Sequence, residues 1–208
     1  MLDIKIKNIV LVGKFNPSNF DKYFFIKNGI ATEDQILKNS VFNALGGMQL
    51  VCEKFSVVIN PAQIIVSAQP PLDNDAEIEK LIAMLIEAGE LVNLTALGFN
   101  FHWFLSDESV SFHELSKGLF FNSSSKLFTD VFSTEDSMYG SYVSMDIKNS
   151  RLKLDVKPVN APNLDAINFQ FNFHFDIHDK STNVEALEHL NDYSYYVKSC
   201  DDIISIYK

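Results

Sequence analysis

Three side chains suited to holding a metal ion, His174, Asp176 and His178, fall at alternate positions of one extended run. In a strand, alternate side chains leave the same face about 7 Å apart. Imidazole and carboxylate together suit a divalent transition metal such as zinc, manganese or iron. If the aromatic run at 94–105 lay beside this strand, Asn100 and His102 would approach from the side. The positions just before, Asn168, Gln170 and Asn172, continue the same polar alternation, which describes a solvated sheet face equally well. A metal site also needs a third ligand and partners to orient it, and the sequence identifies neither. The solvated face is therefore the leading reading and metal chemistry the alternative.

Other chemical motifs fall short of completion. His113-Glu114 begins like a zinc-protease helix, but Lys117 stands where the second imidazole would be. Glu114 instead lies three residues after Ser111, the spacing of a capping box. Val12-Gly13-Lys14-Phe15 lacks the preceding glycine of a phosphate loop and runs into Asn16-Pro17. No Gly-x-Ser-x-Gly elbow is present. Cys52 and Cys200 stand far apart among apolar residues, so they read as buried thiols with neither zinc-knuckle nor redox spacing. Asp73, Asp75, Glu77 and Glu79 cluster at one helix start, where they meet its dipole favourably.

Charge narrows the partners. The 208 residues carry a formal charge of −10, and of 17 basic residues only Arg151 is an arginine. Such a surface repels polyphosphates and anionic membranes, and it lacks the planar guanidinium forks that grip phosphate. General nucleic-acid binding and membrane attachment are not expected. The segment MLDIKIKNIV alternates charged with apolar residues, no run approaches about 18 apolar residues, and a cytoplasmic location is expected.

Aromatic residues are in surplus: 18 are Phe, and Phe24-Phe25, Trp103-Phe104 and Phe120-Phe121 are adjacent pairs whose members must point opposite ways. Phe104 and Phe121 each neighbour a core-facing ring and should point outward, which makes them candidate partner-binding anchors. The competing explanation is a second packing layer between lobes.

The elements that must position these residues give an α+β fold, with antiparallel sheets and helices packed on one face. Residues 4–15 read as a strand. Thr32 and Gln35 predict the start of a short helix running to about Leu45. Residues 49–59 and 62–69 read as paired strands around Asn60-Pro61. After Pro70-Pro71, Asp73 caps a helix whose Ile78, Leu81, Ile82, Leu85 and Ile86 share one face. A strand at 94–105 places Leu97, Phe99, Phe101, Trp103 and Leu105 together. Ser111 then opens a helix with Phe112, Leu115 and Leu119 inward.

Asn122-Ser123-Ser124-Ser125 divides the chain into an amino-terminal α+β lobe, 1–122, and a carboxy-terminal meander-plus-helix lobe, 126–208, either as two lobes or as one continuous domain. In the second, a strand from Met138 to Lys148 turns at Asn149-Ser150. The returning strand alternates Leu152, Leu154 and Val156 with Arg151, Lys153, Asp155 and Lys157. The third alternates Ile167, Phe169, Phe171, Phe173, Phe175 and Ile177 with polar residues, giving one greasy and one wet face. Thr182 and Glu185 open one long terminal helix. Phe-Asn-Phe-His occurs at 99–102 and again at 171–174, either the trace of an internal duplication that relates the lobes or a chance recurrence in a Phe- and Asn-rich chain.

The GFNFHW strand, MDIKNSRLKLDVKPV, DAINFQFNFHFDI and the terminal helix resemble a sporadically distributed, functionally uncharacterised family of bacterial α+β proteins. The resemblance implies a two-lobe sheet-and-helix fold. The second lobe is similar in outline to the export chaperone SecB. The reading that emerges is a non-enzymatic protein-binding or assembly subunit of a bacterial cytoplasmic complex, without a cofactor, working through a protein partner or self-association. The alternatives are a metal-dependent enzyme or metal-binding domain at His174, Asp176 and His178, and a chaperone-like or small-ligand-binding protein.

Overall fold

Apolar residues at every second position build strands, and nine such strands join into one antiparallel sheet. The computed structural model describes residues 2–43, 46–69, 75–107, 109–161 and 164–207. In chain order the strands are β1 (Leu2–Val12), β2 (Val41–Asn43), β3 (Gly47–Val51), β4 (Phe55–Ile59), β5 (Gln63–Ala68), β6 (Ala96–Leu105), β7 (Ser141–Ile147), β8 (Ser150–Ala161) and β9 (Leu164–Asp176). They stand side by side as β2-β3-β4-β5-β1-β6-β9-β8-β7. The helices are α1 (Lys22–Lys27), α2 (Asp75–Ala88), α3 (Phe112–Phe120), α4 (Val184–Leu190) and α5 (Tyr193–Ile204).

The sheet joins the two halves of the chain at its centre, where β6 pairs with β9 along ten residues. The two Phe-Asn-Phe-His copies lie there side by side and antiparallel, with Phe99 opposite Phe173, Asn100 opposite Asn172 and Phe101 opposite Phe171. The phenylalanines of both copies face one side, and β8 continues that apolar layer with Leu152, Leu154 and Val156. Neighbouring rings meet edge to face, as Trp103 and Phe171 do at 5.5 Å between centroids.

Helices close this face. Ile78, Leu81, Ile82, Leu85 and Ile86 of α2 are all buried, as their three/four spacing requires. From α5, Tyr193 meets Phe99 at 5.1 Å and Tyr196 meets Phe173 at 4.8 Å. Leu115 and Leu119 of α3 pack against the same core, and Phe120 meets Phe169. Ser111 and Glu114 form the expected capping box. Pro70-Pro71, the Asp73 cap, the Phe112 side chain and Pro162-Asn163 lie outside the described residues.

Three expectations need correction. The helix expected from Thr32 to Leu45 is a single 3-10 turn at Glu33–Gln35, although the Thr32/Gln35 capping box is present. Beyond it the chain is drawn onto β3, with the Leu37 amide donating to the Val51 carbonyl at 2.9 Å, and β2 then pairs with β3. The run 49–59 is two strands, because the Cys52 amide donates to the Phe55 carbonyl and closes a tight turn. The terminal helix is also two, broken after Leu190, with Asn183 and not Thr182 at the first start. The first strand also carries a slip in pairing between Ile4 and Ile6, after which Ile6 lies across His102 and Lys7 across Phe101. Lys7 shares the covered face with Ile9 and Leu11, two and four residues on, and there it is 6% exposed and bonds Asp75 of α2 at 2.6 Å.

Candidate functional site

The sheet has a covered face, an open face and two edges, and the sequence candidates are divided between the open face and the segments that flank the sheet. His174 and Asp176 stand on the open face, where His174 Nε2 lies 3.2 Å from Asp176 Oδ1. His178 follows the end of β9 and turns to a different carboxylate: its Nδ1 lies 3.0 Å from Glu185 Oε1 on α4. Glu185 Oε2 also accepts the backbone amides of His178 and Asp179, at 2.7 and 2.9 Å. These bonds hold the Glu185 carboxyl below its usual pKa, with the His178 bond the largest cause. The two imidazoles are thus held by separate acids. Among the described residues no three His, Cys, Asp or Glu side chains are grouped to hold an ion.

Asn100 and His102 do come alongside β9, but His102 pairs with Gln170 while His174 pairs with Gly98. Four residues of strand, about 13 Å, separate them along the sheet. Burial lowers the His102 pKa, and the charge of Lys157 lowers it further. Asn100 has another role. Asn172 Nδ2 donates to Asn100 Oδ1 at 2.6 Å and Asn100 Nδ2 donates to Asn8 Oδ1 at 2.8 Å, a side-chain ladder across three strands. The ladder belongs to a longer polar row, Ser56, Ser67, Asn8, Asn100, Asn172, Lys153 and Ser144, crossing seven strands in register.

Phe104 lies on the open face opposite Asn168 and is half-buried. Phe121, which follows α3, is also half-buried: it stacks on Phe128 at 6.2 Å and meets Tyr139 edge-on at 5.3 Å, with Lys117 Nζ 5.5 Å from its ring centre. Tyr139 is fixed in turn, because its amide donates to Ser116 Oγ, whose hydroxyl donates to the Tyr139 carbonyl. Two residues later β7 begins. Phe121 therefore braces the approach to β7 from inside an aromatic cluster.

β7 itself is the feature that sequence reading missed. It pairs with β8 on one side and, among the described residues, with no strand on the other. Its side chains are open on both faces: Tyr142 is 63%, Val143 53% and Met145 54% exposed. Val143 and Met145 pair with Leu154 and Leu152 and so extend the greasy layer past the helices that cover it. Natural sheet edges are usually blunted by lysine, proline, a bulge or shortness. β7 has seven residues, no lysine or proline, and one charge, Asp146, which Arg151 Nη1 pairs at 2.9 Å. The opposite edge, β2, has three residues.

Thiol chemistry has no support in the geometry. Burial pushes the Cys52 thiol up to about 11 and raises Cys200 well above its ordinary value, so both stay protonated. No helix is long and apolar enough to cross a membrane among the described residues. In comparisons with known proteins, no family model matches the chain, and no curated sequence matches it significantly.

Proposed function

We propose that this chain is a non-enzymatic binding or assembly subunit of a bacterial cytoplasmic complex, and that it acts through the β7 edge. The observation that carries this reading is the pairing-competent edge: backbone groups on a seven-residue strand with Tyr142, Val143 and Met145 exposed beside them. Strand addition joins two kinds of specificity, since the main chain supplies hydrogen bonds and alternating side chains supply register. Phe121 supports the edge through Tyr139, while Phe104 offers a second contact on the open face.

Gel filtration of the tagged full chain in extract of its own host tests the proposal. The wild type should elute larger than a monomer, and Val143→Lys, with an unchanged circular dichroism spectrum, should elute at monomer size. A charge at an exposed edge position leaves the fold intact but opposes pairing. Wild-type protein at monomer size, or a Val143→Lys variant at the wild-type position, refutes the proposal.

A further inference from the structure

We infer that the occupant of the β7 edge is a second copy of this chain, its β7 antiparallel to the first about a two-fold axis at Ser144. This rests on the edge reading above and adds the partner and the register. β7 and β8 are joined by the two residues Lys148 and Asn149, and Ile147 pairs with Ser150. In such a hairpin the closing pair exchanges its backbone hydrogen bonds, so Ile147, Met145, Val143 and Ser141 aim their amides and carbonyls at β8. The amides and carbonyls of Tyr142, Ser144 and Asp146 then point to the free edge.

An antiparallel partner that is another β7 must match those same three residues. Centred on Ser144, the pairing sets Ser144 against Ser144 and Tyr142 against Asp146 in both directions, about six backbone hydrogen bonds with no outward group left over. Every other two-fold register pushes at least one of the three past the end of the opposing strand. A register centred on Asp146 also sets the two acids against each other.

Side chains agree on both faces. On the covered face Val143 meets Met145 of the second copy, so the row Leu154, Val143, Met145, Leu152 runs unbroken across the axis. That encloses apolar surface no helix covers. On the open face the one charge of the edge, Asp146, faces a tyrosine hydroxyl while its own Arg151 neutralises it. Lys153, Ser144, Ser144 and Lys153 continue the polar row from one sheet into the next. The edge is complementary to itself in charge as well as in shape, although each chain carries a formal −10.

Sedimentation of the purified chain alone, followed by cysteine cross-linking, tests this. The wild type should sediment as a dimer, and Val143→Lys should weaken the dimer at least tenfold. Paired Cα atoms in a hydrogen-bonded antiparallel pair sit about 5.5 Å apart, within disulfide reach, so Ser144→Cys should oxidise to a covalent dimer. Tyr142→Cys should not, because its copies lie about 13 Å apart along the strand. The native Cys52 and Cys200 are buried and do not compete. A monomer at all concentrations overturns the inference, as does a dimer that survives Val143→Lys or one in which Tyr142→Cys cross-links as readily as Ser144→Cys. If the purified chain is monomeric while Val143→Lys still reduces its size in extract, self-pairing fails and the edge reading stands. If neither changes, both fall.

Discussion

Asp75→Ala and Lys7→Met remove the two ends of one ion pair, yet they should move stability in different directions. Lys7 stands on the covered face of β1 at 6% exposure, and its ammonium has a carboxylate at 2.6 Å. Asp75 begins α2, and its side chain is 28% exposed. Removing Asp75 strands an ammonium among core residues and takes an acid from the positive end of a helix. Breaking a buried pair costs about 3–5 kcal/mol, and the partial exposure of Asp75 places this one near 3. Lys7→Met keeps the length of the side chain and removes the charge with its desolvation penalty. The acid it leaves behind still meets water and the helix dipole, so the change should lie within about 1 kcal/mol of zero or stabilise. The double variant should recover most of the Asp75→Ala loss. In urea, with m near 2 kcal/mol/M, Asp75→Ala should lower the midpoint by about 1.5 M while Lys7→Met leaves it nearly in place, both at unchanged m. Equal losses in the two single variants would show that the pair is a net source of stability, and the desolvation argument would be wrong.

Phe171, 1% exposed and edge-on to Trp103, should lose about 3–5 kcal/mol as Phe171→Ala in the same assay, whereas Asn172→Ala, which removes one rung of the asparagine ladder, should lose about 1. His189 packs on Phe175 at 4.8 Å, and burial lowers its pKa while nearby Glu185 works to raise it. With the folded value below the unfolded 6.5, its neutral form contributes stability above about pH 6.5 that is lost as pH falls through the folded value. His189→Phe should accordingly flatten the decline in urea midpoint between pH 7.5 and 5.5, and a variant as acid-sensitive as the wild type would count against this. Protein purified without an affinity tag is expected to contain no stoichiometric zinc, manganese or iron by elemental analysis. An ion lost in His174→Ala/His178→Ala would restore the metal reading.

Period-two alternation made the central sheet legible from sequence, because β6, β8 and β9 each bury an apolar face against helices and carry mainly polar residues on the other. The helical face of α2 was legible for the same reason. Where reading failed, a tertiary partner outweighed a local signal. The Thr32/Gln35 box caps a single turn because β3 takes the following backbone into the sheet. Lys7 lies in phase with Ile9 and Leu11 on the covered face, and its partner Asp75 comes from α2, a pairing across 68 residues that no local pattern marks. The metal-like triplet was legible as a pattern, but Glu185 arrives from another element to hold His178 apart from His174 and Asp176.

The edge strand fails differently. Ser141 to Ile147 alternates like a half-buried strand, and nothing local distinguishes a strand with two neighbours from one with a single neighbour. Its position follows from the order of the whole sheet, in which the β8 hairpin turns outward and β9 takes the central place beside β6. The same order leaves Val143 and Met145 on the outermost strand, where side chains placed for burial remain more than half exposed. A long edge of this kind invites uncontrolled association unless one partner fits it better than the rest. Matching all three outward residues at once in a self-pair centred on Ser144 supplies that preference. Val143→Lys should therefore yield a soluble, folded monomer, because the substitution blunts the edge without touching the core behind it.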